Sequence, residues 1–201
     1  MALQKIIKTG LFCGSFNPIH TGHMVIASYM AGFTDLDEVW FVVSPQNPLK
    51  KKESLLGDLH RLAMVNIAIE DDRRFKSSGI EFKLPRPSYT VNTLAALMEK
   101  YPNRQFALIM GSDNLQTFNK WRNYEKILSE HTLYIYPRPG FDGGEFRTHP
   151  SVLWTEAPLM EISSTFIRHA IAGKKDVSYM LQPTVYKYIK EMHFYSERFG
   201  E

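Results

Sequence analysis

Along most of the 201 residues, short apolar runs alternate with apolar positions recurring at helical spacing. The run from about Lys5 to Cys13 reads as a strand. After a small-residue turn, Met24 to Ala31 reads as a helix. Glu38-Val-Trp-Phe-Val-Val-Ser44 is continuously apolar, the pattern of a parallel strand covered on both faces. A polar loop over Pro45–Lys52 follows. Leu59, Leu62, Ala63, Val65, Asn66 and Ile69 then keep helical spacing behind a Gly57-Asp58 start. Phe75 to Lys83 predicts a strand, Thr90 to Tyr101 a helix with Pro102 just beyond it, and Gln105–Met110 a further buried strand. A helix over Asn123–Glu130 and strands over Thr132–Tyr136 and Val152–Trp154 come next. Between those strands, Pro137–Pro150 carries three prolines and three glycines and reads as a loop. Helices over Ser164–Ala172 and Pro183–Met192 close the pattern.

This alternation predicts an α/β fold: one doubly wound, mainly parallel sheet with helices on both faces and right-handed crossovers. No internal repeat, low-complexity stretch or linker divides the chain, so residues 1–201 are expected to form a single domain. In such sheets ligands bind beyond the carboxyl ends of the strands, at the switch in strand order. Every candidate motif below falls just after a strand.

Composition narrows the classes. Apolar residues make up 44% and charged residues 22%, ordinary for a globular domain. A net charge of +3 does not demand nucleic acid as a partner and suits anionic small molecules. The lone Cys13 rules out an internal disulfide and fits a reducing compartment, so a cytoplasmic location is expected. Lys5 and Lys8 interrupt any signal-like segment, and no run of 18 apolar residues exists, so no membrane association is expected. A homo-oligomer remains open.

The first chemical element is Gly14-Ser-Phe-Asn-Pro-Ile-His-Thr-Gly-His23, between the first strand and the first helix. Unpaired amides and the helix dipole favour an anion there, and His20 and His23, three apart, share one face of the opening turn. Neither G-x-x-x-x-G-K-[S/T] nor an opening G-x-G-x-x-G occurs. The plain alternative is a pair of surface or capping histidines. Zinc on Cys13, His20 and His23 is discounted, since no further Cys or second H-x-x-H pair exists.

The second element is Glu161-Ile-Ser-Ser-Thr-Phe-Ile-Arg168. Ser163 or Ser164 suits an N-cap, Gly173 ends the helix, and Arg168 lies one turn on, where it can clamp a phosphate bidentately. Alone, this string would be an ordinary cap with a solvated arginine. Lys51 and Lys52 read as a solvated charge run, whereas Lys50 closes P-x-N-P-x-K after the second strand. Asp113, in Gly111-Ser-Asp113, either caps a helix or accepts ribose hydroxyls. Polar neighbours around Trp121 favour a partly exposed stacking platform over a core residue.

The ordered G-S-F-N-P-x-H-x-G-H and I-S-S-T-x-I-R strings resemble the signatures of the nucleotidyltransferases related to class I aminoacyl-tRNA synthetases. Pro87-Ser-Tyr-Thr-Val-Asn-Thr93 and Trp121 with its aromatic neighbour Tyr124 narrow the resemblance to bacterial nicotinate-nucleotide adenylyltransferases, over essentially the whole chain. The resemblance implies a Rossmann-like fold and adenylyl transfer from ATP to nicotinate mononucleotide, with Mg²⁺ carried on ATP. It implies catalytic roles for His20, His23, Lys50 and Arg168. It places Gly14, Ser15, Phe16, Gly22, Gly111, Asp113, Ile162, Ser163, Ser164 and Thr165 around ATP. Asn47, Tyr89, Thr90, Trp121 and Arg122 would meet the mononucleotide, with Trp121 stacking on the pyridine ring. Backbone amides near Thr90 and at Arg122 would hold its carboxylate. Departures are Cys13, where relatives often have glycine, and Asn17, where many have aspartate. Alternatives are transfer to nicotinamide mononucleotide or pantetheine phosphate, or a non-catalytic nucleotide-binding module.

Overall fold

Parallel strands are the frame on which everything else hangs. The computed structural model describes residues 5–45 and 55–196. Strands β1 (Ile7–Gly14), β2 (Glu38–Val43), β3 (Phe75–Ser78), β4 (Arg104–Gly111), β5 (Leu133–Tyr136) and β6 (Val152–Trp154) form one sheet in the order β3-β2-β1-β4-β5-β6. All neighbours run parallel, with Thr9 opposite Glu38 and Phe106 on the two sides of β1. The helices are α1 (Thr21–Phe33), α2 (Asp58–Ile69), α3 (Thr90–Lys100), α4 (Ser112–Gln116), α5 (Tyr124–Glu130), α6 (Ser164–Ala172) and α7 (Pro183–Glu191). The doubly wound α/β sheet expected from the sequence is therefore present.

The two-residue period of the strands sorts their side chains onto two cores. Phe12, Phe41, Ala107 and Ile109 face one core, shared with Ile26 and Met30 of α1, Met64 of α2, Ile167 of α6 and Val185 of α7. Leu11, Trp40, Val42, Leu108 and Met110 face the other, against Leu94 and Leu97 of α3 and Ile127 of α5. Met30 is fully buried, so truncating it to Ala would cost about 2–5 kcal/mol. Far from the strand ends that matter below, buried Glu38 receives Thr9 Oγ1 at 3.0 Å, Trp40 Nε1 at 2.8 Å and Lys76 Nζ at 2.9 Å, with Arg104 paired to it.

One local expectation fails, and one element goes unforeseen. Phe75–Lys83 is not one strand. β3 stops at Ser78, and Ile80–Lys83 is a 3₁₀ turn that swings Glu81 inward, where it accepts Thr93 Oγ1 at 2.9 Å. Ser112–Gln116 is a short helix that no periodicity announced, since five residues are too few to show one. Among the described residues, no helix is long and apolar enough to cross a membrane.

Candidate active site

Strand order reverses between β1 and β4, so a crevice opens beyond Gly14 and Gly111, at the ends of those strands. Beyond β1 the chain turns through Phe16, held at φ 45° and only 2% exposed. Its ring packs edge-on to His23 at 5.0 Å and to Phe41 at 5.5 Å. The Phe16 ring lies 3.0 Å from where a Cβ on Gly14 would stand. The turn is thus folded under an aromatic cover before α1 begins.

His20 is the N-cap of α1, and its ring stacks on His23 at 3.7 Å with the planes 26° apart. The His20 amide donates to His23 Nδ1 at 3.2 Å. Nδ1 being the acceptor, a neutral His23 carries its proton on Nε2 and is a donor there. His20 is buried, and Nδ1 has no hydrogen-bond partner. Burial, with the Arg138 charge beside it, lowers its pKa from 6.5 to about 4, so the ring is neutral at pH 7. Gly22 leaves room for this ring: a Cβ would stand 3.1 Å from the His20 ring, close enough to push it aside by a few tenths of an ångström. Phe12, His20, Gly22, His23, Arg138 and Ile162 are among the residues lining one cleft.

The second motif reaches the same cleft from the other end of the chain. Ser163 is the N-cap of α6, accepting the Phe166 amide at 3.1 Å, and Gly173 caps the other end. Ser164 Oγ donates to the Pro18 carbonyl at 2.8 Å, and buried Arg168 donates through Nη1 to the Asn17 carbonyl at 2.9 Å. Its other terminal nitrogen lies 3.4 Å from Thr165 Oγ1. Arg168 therefore braces the turn after β1. Tyr195 closes the brace, donating to Asn17 Oδ1 at 2.8 Å, and burial pushes its hydroxyl pKa far up.

At the end of β4, Asp113 folds back over Gly111, with its Oδ1 only 2.3 Å from where a Gly111 Cβ would stand. No other residue fits at Gly111 without moving that carboxylate. Asp113 Oδ1 is buried without a hydrogen-bond partner, and Arg138 Nε lies 3.9 Å from it. Ser112 Oγ accepts the Arg138 amide at 2.9 Å, which fixes the loop after β5 to the end of β4. Arg138 stood outside every motif, and a lone arginine in a loop with three prolines and three glycines carries no spacing signal.

Tyr89, Thr90, Trp121 and Arg122 are also brought together. Tyr89 is the N-cap of α3, and the Arg122 guanidinium lies 5.0 Å over its ring. Trp121 is half-buried against Phe118, centroids 5.1 Å apart, with Nε1 buried and unpartnered. Cys13, half-buried near the end of β1, has its thiol pushed up by burial, which makes it a poor thiolate. Asn47 and Lys50 lie outside the described residues. Among the described residues, no three His, Cys, Asp or Glu side chains are grouped to hold a metal ion.

Residues 11–170 match the cytidylyltransferase-like family. A probable nicotinate-nucleotide adenylyltransferase of Flavobacterium johnsoniae is 53% identical over 193 residues, covering 95% of this chain and 100% of the relative. The protein of the same name from Christiangramia forsetii is 54% identical over 190 residues (94% and 98%), and that from Bacteroides thetaiotaomicron 52% over 191 residues (95% and 95%). Among solved structures, the fold matches a Plasmodium falciparum nicotinic acid mononucleotide adenylyltransferase complexed with NaAD. That match has a TM-score of 0.77 and 21% identity, and covers 96% of this chain and 98% of the other. With two nucleotide-site motifs converging on one cleft and relatives above half identity across nearly their full lengths, the chain belongs to the nicotinate-nucleotide adenylyltransferases of the cytidylyltransferase-like family.

Proposed function

We infer that this chain transfers the adenylyl group of ATP to nicotinate mononucleotide, giving nicotinic acid adenine dinucleotide and pyrophosphate in NAD biosynthesis. The observation that carries the reading is that α6 is hydrogen-bonded to the turn that leads into α1. It joins the stacked His20–His23 pair to Arg168 through the Ser164–Pro18 and Arg168–Asn17 hydrogen bonds. Two helix N-termini and three donor side chains suit a polyphosphate.

In the reaction a phosphate oxygen of the mononucleotide forms a bond to the α-phosphorus of ATP. The bond from that phosphorus to the α,β-bridging oxygen breaks, and pyrophosphate leaves with the electron pair. The nucleophile is already an anion, so no general base is required. The barrier is the approach of like charges, which fixed donors lower. His23 Nε2–H supports charge on the transferring group. Neutral His20 donates a hydrogen bond without competing for protons at pH 7. Arg168 meets the outer phosphates, and Lys50 adds a further charge. Asp113 accepts ribose hydroxyls beyond β4.

Mg²⁺ belongs to this picture as part of the substrate, bound to ATP and neutralising phosphate charge. The polar side chains that line the cleft, His20, His23, Tyr136 and Arg138, can all donate hydrogen bonds and include no carboxylate, which fits phosphate oxygens rather than a protein-built cage. On the acceptor side, the N-terminus of α3 at Thr90 and the Arg122 amide meet the carboxylate while Trp121 stacks on the ring. A cytoplasmic location is supported by the single cysteine. The test is pyrophosphate release from ATP with nicotinate mononucleotide, nicotinamide mononucleotide and pantetheine phosphate as separate acceptors. Release with the first far above the others is expected; release without any acceptor preference would sink the assignment.

A further inference from the structure

Arg61 of α2 is wholly buried and belongs to none of the motifs. A buried guanidinium is costly unless its donors are met, and four of the five are met here. Nε donates to the Leu56 carbonyl at 2.9 Å. Nη1 donates to the carbonyls of Ser15 at 2.5 Å and Ser44 at 2.9 Å. Nη2 donates to Asp58 Oδ1 at 2.7 Å. Ser15 lies in the turn after β1 and Ser44 follows β2, so one side chain ties two neighbouring strand ends together.

Asp58 carries the connection outward. Its second oxygen, Oδ2, accepts Arg86 Nη2 at 2.9 Å. Arg86 directly precedes Pro87–Thr90, the segment that opens α3. An unbroken chain of hydrogen bonds thus runs from the Ser15 carbonyl through Arg61 and Asp58 to Arg86. Its ends are the phosphate turn and the segment assigned to the pyridine substrate. Spacing of i and i+3 puts Asp58 and Arg61 on one face of α2, which makes the relay possible.

We propose that Arg61, Asp58 and Arg86 are positioning residues that hold the acceptor half of the site at a set distance from the ATP half. What the two halves bind rests on the adenylyl-transfer reading; the mechanical link does not. In-line attack needs the reacting atoms about 3–3.5 Å apart, so drift of about 1 Å between the halves costs turnover. Substrates bound separately would feel the break less than the reaction does.

The variants are Arg86→Gln, at the exposed end, Arg86→Lys, Asp58→Asn, and the Arg86→Gln/Asp58→Asn double. The first measurement is hydrogen exchange of the unliganded protein, followed at the amides of residues 15–17 and 88–92. Arg86→Gln is expected to speed exchange in both segments, although only one is its neighbour. Kinetically it should raise KM for the mononucleotide and lower kcat, each about three- to tenfold, with KM for ATP within about twofold. Arg86→Lys keeps the charge on Asp58 and should recover most of the loss. The double variant should be no worse than Asp58→Asn alone, because both cut one chain. Unchanged exchange at 15–17 in Arg86→Gln, no recovery by Lys, or losses that multiply in the double variant would each overturn the relay. The exchange readout needs no substrate. A wrong substrate assignment would instead appear as wild-type protein that releases no pyrophosphate while the exchange effects stand.

Discussion

The two halves of the cleft are built differently. In the phosphate half, Asn17 and His20 are 1% and 5% exposed, and the braces come from remote parts of the chain: Ser164, Arg168 and Tyr195 all bond the turn after β1. In the acceptor half, Tyr89, Thr90 and Trp121 are half-buried, Arg122 is exposed, and one cation–ring contact joins the two segments. Neutralising charge on a transferring phosphoryl, the role proposed for the first half, needs donors that do not reorganise, and a half set into the scaffold supplies them. Choosing a ring and its exocyclic group needs surface shape, and loops supply it.

If that contrast holds, the largest loss comes from within the braced half. His23→Ala should lower kcat about 10²–10³-fold, the cost of a lost oxyanion-type donor, with much less change in ATP binding. Steady-state kinetics beside calorimetric ATP titration decides it, and near-normal turnover would remove His23 from the mechanism.

Next comes the neutral His20. Its folded pKa of about 4 lies below the unfolded 6.5. The unfolded chain therefore binds the proton first, and stability present above pH 6.5 is lost as pH falls towards 4, on the order of 3 kcal/mol in all. Thermal melts of the unliganded protein should show Tm falling through this window, and His20→Asn should flatten that part of the profile. An ATP analogue should bind with proton uptake near pH 5–6, because phosphate charge favours the protonated ring. A pH-independent Tm between 4 and 6.5 would contradict the buried neutral state.

Arg168→Lys sharpens the comparison by keeping the charge and losing the planar fork. Lys has no second nitrogen with which to hold the Asn17 carbonyl while facing phosphate, so kcat/KM should fall about 10–100-fold. Full activity would reduce Arg168 to a generic charge. The smallest effect belongs to the acceptor half. In the proposed site, amides at Thr90 and Arg122 would pair with both oxygens of a carboxylate but would meet the NH₂ of an amide unfavourably, at about 1–3 kcal/mol. kcat/KM should therefore favour nicotinate over nicotinamide mononucleotide by at least about tenfold. Trp121→Ala should weaken both and leave their ratio intact, since stacking does not read the exocyclic group. Equal wild-type efficiencies would refute acid selectivity.

Local pattern was enough for much of this. The apolar run Glu38–Ser44 had the pattern of a covered parallel strand and is one over Glu38–Val43, and the small residues before two histidines marked a turn into a helix, which begins at Thr21. A serine cap at Ser163 or Ser164 and the Gly173 stop of α6 were plain as well, because caps depend on neighbours in sequence, and the structure selects Ser163. The errors lay where a remote contact outweighed local preference. The segment after Ser78 had the composition of a strand, yet Glu81 turned inward to a partner on α3. Arg61 and Arg138 gave no signal, and Tyr195 only a resemblance without a role, since each is tied to at least one carbonyl or side chain more than twenty residues away. What the sequence alone determined is the sheet and the strand-to-turn-to-helix setting of the two motifs, all written in short-range spacing of apolar, small and capping residues. What tertiary structure decided is how those motifs are braced and how far apart the two halves stand. A buried guanidinium or hydroxyl can be satisfied only by acceptors that the fold brings to it.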